Sequence, residues 1–189
     1  MMSFFDLVAP VYDALHIGAR KTARTVAALA EFKPTDRVLD LGGGTGRVAR
    51  FFVGSVASVT VADPSEKMLA QCKRKQGLAC VLAEAEHLPF ADASFEKVII
   101  VDAFHHFANH ERVIAEVRRV LAPDGAAILE EFNPETLAGK IGERIERLFG
   151  MSAVHYFAPR DLATLWQRHG FSTDIRDGEK KVYYLICRK

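Results

Sequence analysis

Four acidic residues and one glycine-rich turn carry the chemistry this sequence can perform. Asp40 lies in a short apolar run, Arg37-Val38-Leu39-Asp40-Leu41, that leads directly into Gly42-Gly43-Gly44-Thr45-Gly46. Asp63 ends a second apolar run, Glu84 follows a third, and Asp102 follows a fourth. A glycine-rich turn lets backbone N–H groups approach a ligand, because no Cβ stands in the way. A carboxylate about 20 residues further on can accept hydrogen bonds from both hydroxyls of a ribose. The pattern predicts a nucleotide-like cofactor site. His105 and His106 come just after Asp102, where either can act as a base or touch a substrate. Tyr12, in a segment read as a cover over the site, is a third candidate for a catalytic role.

The elements that position these residues follow from hydrophobic periodicity. Runs at 37–41, 58–63, 78–83, 95–101 and 126–130 read as strands, and the fourth is almost continuously apolar, as in a strand covered on both faces. Between them the spacing predicts helices starting at Arg47, from Ser65 to about Gln76, and from 110 to 121, with Ser65 and Asn109 as N-caps. Strands alternating with helices imply a doubly wound parallel sheet, and ligands of such sheets bind outside the carboxyl ends of the strands. Gly42 to Gly46, Asp63, Glu84 and Asp102 are therefore expected along one rim. Residues 3–31 read as helical, divided by Pro10 and broken near Ile17-Gly18. Asn133 and Pro134 open a predicted helix with Leu137, Ile141, Ile145, Leu148 and Phe149 on one face, and Pro159 opens another that Gly170 stops. Phe171–Arg176 and Lys181–Cys187 then read as two strands around Asp177-Gly178, which must be antiparallel.

Several cofactors share such a turn. Gly44-Thr45-Gly46-Arg47-Val48-Ala49 fits GxGxxA by letter, but Asp40 would face a dinucleotide's pyrophosphate unfavourably, and no GxxxxGK[ST] phosphate loop is present. A cofactor with a ribose and no phosphates suits the residues better. S-adenosylmethionine is one, and its positive amine turns Asp40, and Asp102 beside it, into attractive partners.

At this point the sequence resembles a known family. Val38 to Gly46 resembles the first motif of class I S-adenosylmethionine-dependent methyltransferases, and Val61-Ala62-Asp63-Pro64-Ser65-Glu66-Lys67-Met68-Leu69 is similar to their ribose-binding segment. Ala83 to Val98 is similar to their adenine-proximal motif, with Glu84 where Asp is usual, and Leu121-Ala122-Pro123-Asp124-Gly125 to the turn before the fifth strand, with Asp124 where Gly is usual. Phe5-Asp6, Ala9-Pro10 and Tyr12-Asp13 resemble the N-terminal segment of the ubiquinone/menaquinone-biosynthesis branch. The resemblance implies a Rossmann-like three-layer sandwich with a mostly parallel seven-stranded sheet, order 3-2-1-4-5-7-6, strand 7 antiparallel. It implies one methyltransferase domain over 1–189: a helical cover at 1–31, a cofactor-binding core at 32–130, a helical substrate cover at 131–158, and a last helix with terminal hairpin at 159–189. It assigns cofactor binding to Asp40, Gly42, Gly43, Gly44, Gly46, Asp63, Pro64, Met68, Glu84, Ala85 and Asp102.

Composition narrows the partners. With 25 basic and 24 acidic residues among 189, the formal net charge is +1, which gives no reason to expect nucleic acid or an anionic membrane. No apolar run approaches a membrane span, and the N-terminus does not read as a signal peptide, so a cytoplasmic protein without stable membrane insertion is expected. Cys72, Cys80 and Cys187 are few and without a CxxC pair, so three reduced thiols and no metal site are expected. Tyr12, His155 and Tyr156 are candidates for a lid, and Phe4, Phe5, Phe132, Phe149 and Phe157 for an apolar pocket. The expected substrate is a small apolar or amphipathic molecule methylated at oxygen, carbon or an aliphatic amine, since Asp102-Ala103-Phe104-His105 stands where planar-nitrogen enzymes carry an Asn-Pro-Pro-Tyr-type motif. A non-catalytic or regulatory binder of the same cofactor is the alternative, and a nicotinamide-dependent reductase a further one. The oligomeric state is left open.

Overall fold

The computed structural model describes residues 4–15, 18–136, 144, 154–179 and 182–189. Seven strands among them form one sheet: β1 (Arg37–Leu41), β2 (Ser58–Asp63), β3 (Leu78–Leu82), β4 (Phe95–Val101), β5 (Leu121–Phe132), β6 (Ser172–Asp177) and β7 (Val182–Arg188). Their order is β3-β2-β1-β4-β5-β7-β6. The first five run parallel, and β7 lies antiparallel between β5 and β6. This is the expected order and direction. It puts the carboxyl ends of β1, β2 and β4 side by side, because Asp40 pairs with Val61 on one side and Ile99 on the other.

Each face of the sheet has its own core. On one face α3 (Ala19–Ala30) buries Ala23, Val26 and Ala30 against Val38, Phe52, Ile99 and Ile128. On the other, α5 (His110–Val120) and α6 (Pro159–Arg168) bury Ile114, Val117, Leu162 and Trp166 around Phe104 and Leu129. Complete burial of such side chains is worth about 1.5–3 kcal/mol each. The caps fall where the sequence places them: Ser65 Oγ accepts from Met68 N–H at the start of α4 (Glu66–Cys72), and Asn109 Oδ1 from Arg112 N–H at the start of α5. Pro10 divides the N-terminal segment into α1 (Phe4–Val8) and α2 (Tyr12–Leu15).

Some expectations are corrected. The helix expected from Arg47 is a single 3-10 turn, Ala49–Phe51. Gly46 and Gly54, both at positive φ, bound the segment, and β-branched Val48 and Val53 weaken its helical tendency. α4 stops at Cys72 rather than Gln76, where Lys73–Gly77 turns back toward β3. β5 begins at Leu121, ahead of the expected 126, and extends to Phe132, two residues past the expected end, because β7 pairs with it from Ala126 to Phe132. The expectation of three reduced thiols also fails: Cys72 and Cys80 form a disulfide, leaving Cys187 free and buried. They are eight residues apart, but the tight α4–β3 connection brings their Cα atoms to 6.3 Å, within disulfide reach. The helix expected from Asn133 to Phe149 lies mostly outside the described residues, as do Leu137, Ile141, Ile145 and Leu148.

The loop 84–94, expected near the cofactor's adenine, is tied down from α5. Glu116 accepts the Leu88 N–H and pairs with Arg119, whose guanidinium also donates to the carbonyls of Leu88 and Phe90. Arg119 holds Glu116 down at about 2, well below the usual carboxylate range.

Candidate cofactor and active site

A cavity of about 370 Å³ opens at the carboxyl ends of β1, β2 and β4. Its floor is Asp40 and Gly42 to Gly44, one wall is Asp63, Pro64, Ser65 and Met68, and the other is Val101 to Ala103 with His106 and Phe107. Asp6, Tyr12, Arg47 and Val48 complete it.

The glycine turn is shaped by close approach. Gly42 has φ +72°, and a Cβ there would come within 2.8 Å of Ala103 Cβ. A Cβ on Gly43 would meet the Asp40 carboxyl at 2.5 Å. Asp63 fixes the turn's far end, with Oδ2 accepting the Gly44 N–H at 2.9 Å and Oδ1 the Ser65 N–H at 2.8 Å.

Asp40 is the electrostatic centre. It is buried, and its Oδ1 has no hydrogen-bond partner among the described residues. Burial raises its pKa from 3.8 to about 7, Arg47 and the Ala49 N–H oppose this, and Asp63 adds to it. A buried carboxylate with an open acceptor position is a receptor for a cation or a hydrogen-bond donor. Burial also raises Asp63, against the two N–H groups it accepts.

Of the residues assigned to the cofactor, Asp40, Gly42, Gly43, Gly44, Asp63, Pro64, Met68 and Asp102 line the cavity, and three do not. Gly46 (φ +70°) packs inward, where a Cβ would reach Leu78 Cδ1 at 2.6 Å. Glu84 is exposed and Ala85 is buried in the core. Asp102 itself has φ +56°, a strained backbone for a residue other than glycine, and strain of this kind collects at functional sites.

The histidines separate by role. His106 lines the cavity, and burial, together with neighbouring His105, pushes it down to about 3, so it is neutral at physiological pH. His105 is fully buried behind it, with ring centroids 4.0 Å apart, and stacks on Tyr156 at 4.5 Å. Its Nδ1 meets Glu131 Oε2 at 2.6 Å, and Glu131 Oε1 accepts the Phe104 N–H at 2.8 Å. Glu131 thus pins the short turn Phe104–His106 that presents His106. Tyr12 lines the cavity beneath Arg47, and its phenol is pushed up to about 12, chiefly by burial and then by Asp102.

Sequence reasoning missed Arg47, Asp6 and Glu131. Arg47 read as the start of a helix, yet it lies 3.8 Å from the Asp102 carboxylate. Asp6 Oδ1 accepts from Ser65 Oγ at 2.7 Å and so latches α1 onto the cavity wall. Asp13 does the same for α2, pairing with Lys75 at 2.9 Å and accepting from Thr45 Oγ1. Glu131 had one signal, an acidic residue directly after the apolar fifth strand. Among the described residues no cluster of side chains is arranged to hold a metal ion, and no helix is long and apolar enough to cross a membrane.

Fold and cavity define a doubly wound α/β domain with a pocket at the carboxyl ends of its strands and a buried acid, Asp40, on the pocket floor. A family model described as a methyltransferase domain matches residues 39–129. The chain is 34% identical over 153 residues to a demethylmenaquinone methyltransferase of Thermotoga maritima, covering 74% of this chain and 66% of that protein. It is 32% identical over 186 residues to a malonyl-[acyl-carrier protein] O-methyltransferase of Halorhodospira halophila, covering 93% of this chain and 62% of that one. The chain thus spans less than two thirds of these relatives' length. A solved S-adenosylmethionine-dependent methyltransferase from Thermotoga maritima superposes over the whole of both chains with a TM-score of 0.81 at 21% identity, a likeness of fold. These matches support a class I S-adenosylmethionine-dependent methyltransferase similar to the ubiquinone/menaquinone-biosynthesis branch.

Proposed function

We propose that this protein transfers a methyl group from S-adenosylmethionine to a small amphipathic acceptor, a hydroxylated ring compound of the quinol class. The observation that carries the cofactor reading is the buried Asp40 with its unpartnered Oδ1, in a turn whose Gly43 leaves room beside that carboxyl. The quinol class is supported by relatives named demethylmenaquinone methyltransferase and ubiquinone/menaquinone biosynthesis C-methyltransferase.

The residues fit this cofactor. Asp40 would hold its amine, Asp63 its ribose hydroxyls, and Met68 would pack against its base. Bound there, the cofactor supplies a methyl group already activated on a sulfonium, so the protein's task is mainly alignment, which can be worth about 7–11 kcal/mol. Asp102 and the turn pinned by Glu131 fix the cavity's inner wall. Tyr12, latched in place through Asp13 and Asp6, closes it against water. His106, held neutral by burial, can accept a hydrogen bond at the cavity wall but is a weak base there. Gly46 would serve by packing the turn onto the sheet. Glu84 and Ala85 would take part only through the backbone of the loop they begin.

The test is transfer of tritiated methyl from S-adenosylmethionine into the organic-extractable fraction of a cell extract. Wild type should label it and Asp63→Ala should not. S-adenosylhomocysteine binding without transfer to any fraction would show a non-catalytic binder instead, and absence of that binding would overturn the cofactor reading.

A further inference from the structure

A second, larger cavity of about 1030 Å³ lies beside the first and shares Arg47 and Asp102 with it. It runs between α3 and the β6–β7 hairpin, down the face of the sheet that α3 covers only in part. At its inner end, on β5, is Glu130. This residue is 9% exposed, and its Oε2 makes no hydrogen bond within 3.5 Å among the described residues. Thr22 Oγ1 donates to Oε1 at 3.3 Å, and the Tyr184 phenol makes a longer hydrogen bond to the carboxyl that favours its charged form. Burial still raises the carboxyl above its ordinary range. None of the cofactor-binding roles above uses Glu130. A buried carboxyl oxygen left open costs about 1–3 kcal/mol unless something binds it, so its place at the end of an open groove calls for a donor.

We infer that this groove is the acceptor site, binding an amphipathic molecule whose hydroxyl donates to Glu130 and whose apolar body lies along α3 and β7. The inference rests on the methyltransferase reading for its meaning, and the groove's position supports it. Arg47 and Asp102 line both cavities, so a ligand held at Glu130 can reach the edge of the cofactor cavity without taking the cofactor's place. Leu29, Val182 and Ile186 give apolar contact further along. At the rim Lys21 pairs with Glu179 and Arg176 with Asp174, so these charges already satisfy one another. A neutral hydroxyl fits the inner end better than an ammonium, since burying a further charge costs desolvation that a neutral donor avoids.

The experiment uses the full chain saturated with S-adenosylhomocysteine and three probes of similar body: 2-naphthol, 2-methoxynaphthalene and 1-naphthylmethylamine. Affinities are read by NMR titration. One hydrogen bond to a buried carboxylate predicts 2-naphthol binding about 10-fold more tightly than the methoxy compound, in wild type only. Glu130→Leu should erase that preference while leaving S-adenosylhomocysteine affinity within about 2-fold, and Thr22→Val should leave it largely in place. The inference is overturned if the amine binds most tightly, if 2-naphthol competes with S-adenosylhomocysteine, if Glu130→Leu keeps the preference, or if no probe binds saturably below about 1 mM. Failure of S-adenosylhomocysteine itself to bind would instead strike the methyltransferase reading, and 2-naphthol preference could still be measured without it.

Discussion

Asp40→Asn should make the cofactor-free protein more stable while weakening its binding of cofactor. In the folded chain the Asp40 carboxyl holds its proton to about 7, against an ordinary 3.8, chiefly because it is buried. Folding therefore takes up a proton between pH 4 and 7. The native state binds more protons than the unfolded one in that window, so stability falls as pH rises through it and levels off above the folded value. At about 1.4 kcal/mol per pH unit, the interval from 3.8 to about 7 is worth about 4 kcal/mol at pH 8. Asparagine has nearly the same shape and no charge to desolvate, so the variant recovers most of this cost at pH 8 and little at pH 4.5. Urea denaturation of both proteins at the two pH values measures the difference. Isothermal titration with S-adenosylhomocysteine should show the opposite effect: losing a charge-assisted contact to the amine, worth about 1.5–3 kcal/mol, weakens affinity about 10- to 150-fold. A variant less stable than wild type at pH 8, or one that binds as tightly, would refute the account of Asp40 as a strained receptor.

Other outcomes follow from the same geometry. Gly43→Ala places a Cβ 2.5 Å from the Asp40 carboxyl, so it should cut S-adenosylhomocysteine affinity at least 10-fold, and a thermal shift by the ligand equal to wild type would contradict this. Glu131→Ala leaves the Phe104 N–H and His105 Nδ1 without their acceptor and should cost about 2–5 kcal/mol in urea unfolding, a loss absent if that turn is held by other contacts. A thiol titration of denatured protein should find one free cysteine before reduction and three after, and reduction should lower stability by about 2–3 kcal/mol for a loop of eight residues. Three free thiols without reductant would show that Cys72 and Cys80 are not joined.

The sequence by itself determined the sheet and the acids on its rim. Strand periodicity and the caps Ser65 and Asn109 are local, and the hydrogen bonds that form them lie within a few residues, so they are legible in one dimension. The terminal hairpin was legible for the same reason. Asp40 and Asp63 could be read because each stands at the end of an apolar strand, and the topology puts those ends together.

What only the tertiary structure decided depends on contacts between distant segments. Gly46 looks like its neighbours in the turn, but the side chain of Leu78 decides that it faces inward. His105 and His106 are adjacent in sequence, yet Glu131 on another strand draws one into the core and leaves the other at the cavity. The joining of Cys72 to Cys80 depends on where α4 stops, which the helical pattern does not mark. Glu130 is an ordinary strand residue until α3 and β7 close around it and withhold a partner from one oxygen. In each case the deciding energy is that of burying a polar or bulky group beside a particular neighbour, a quantity that exists only once the chain has folded.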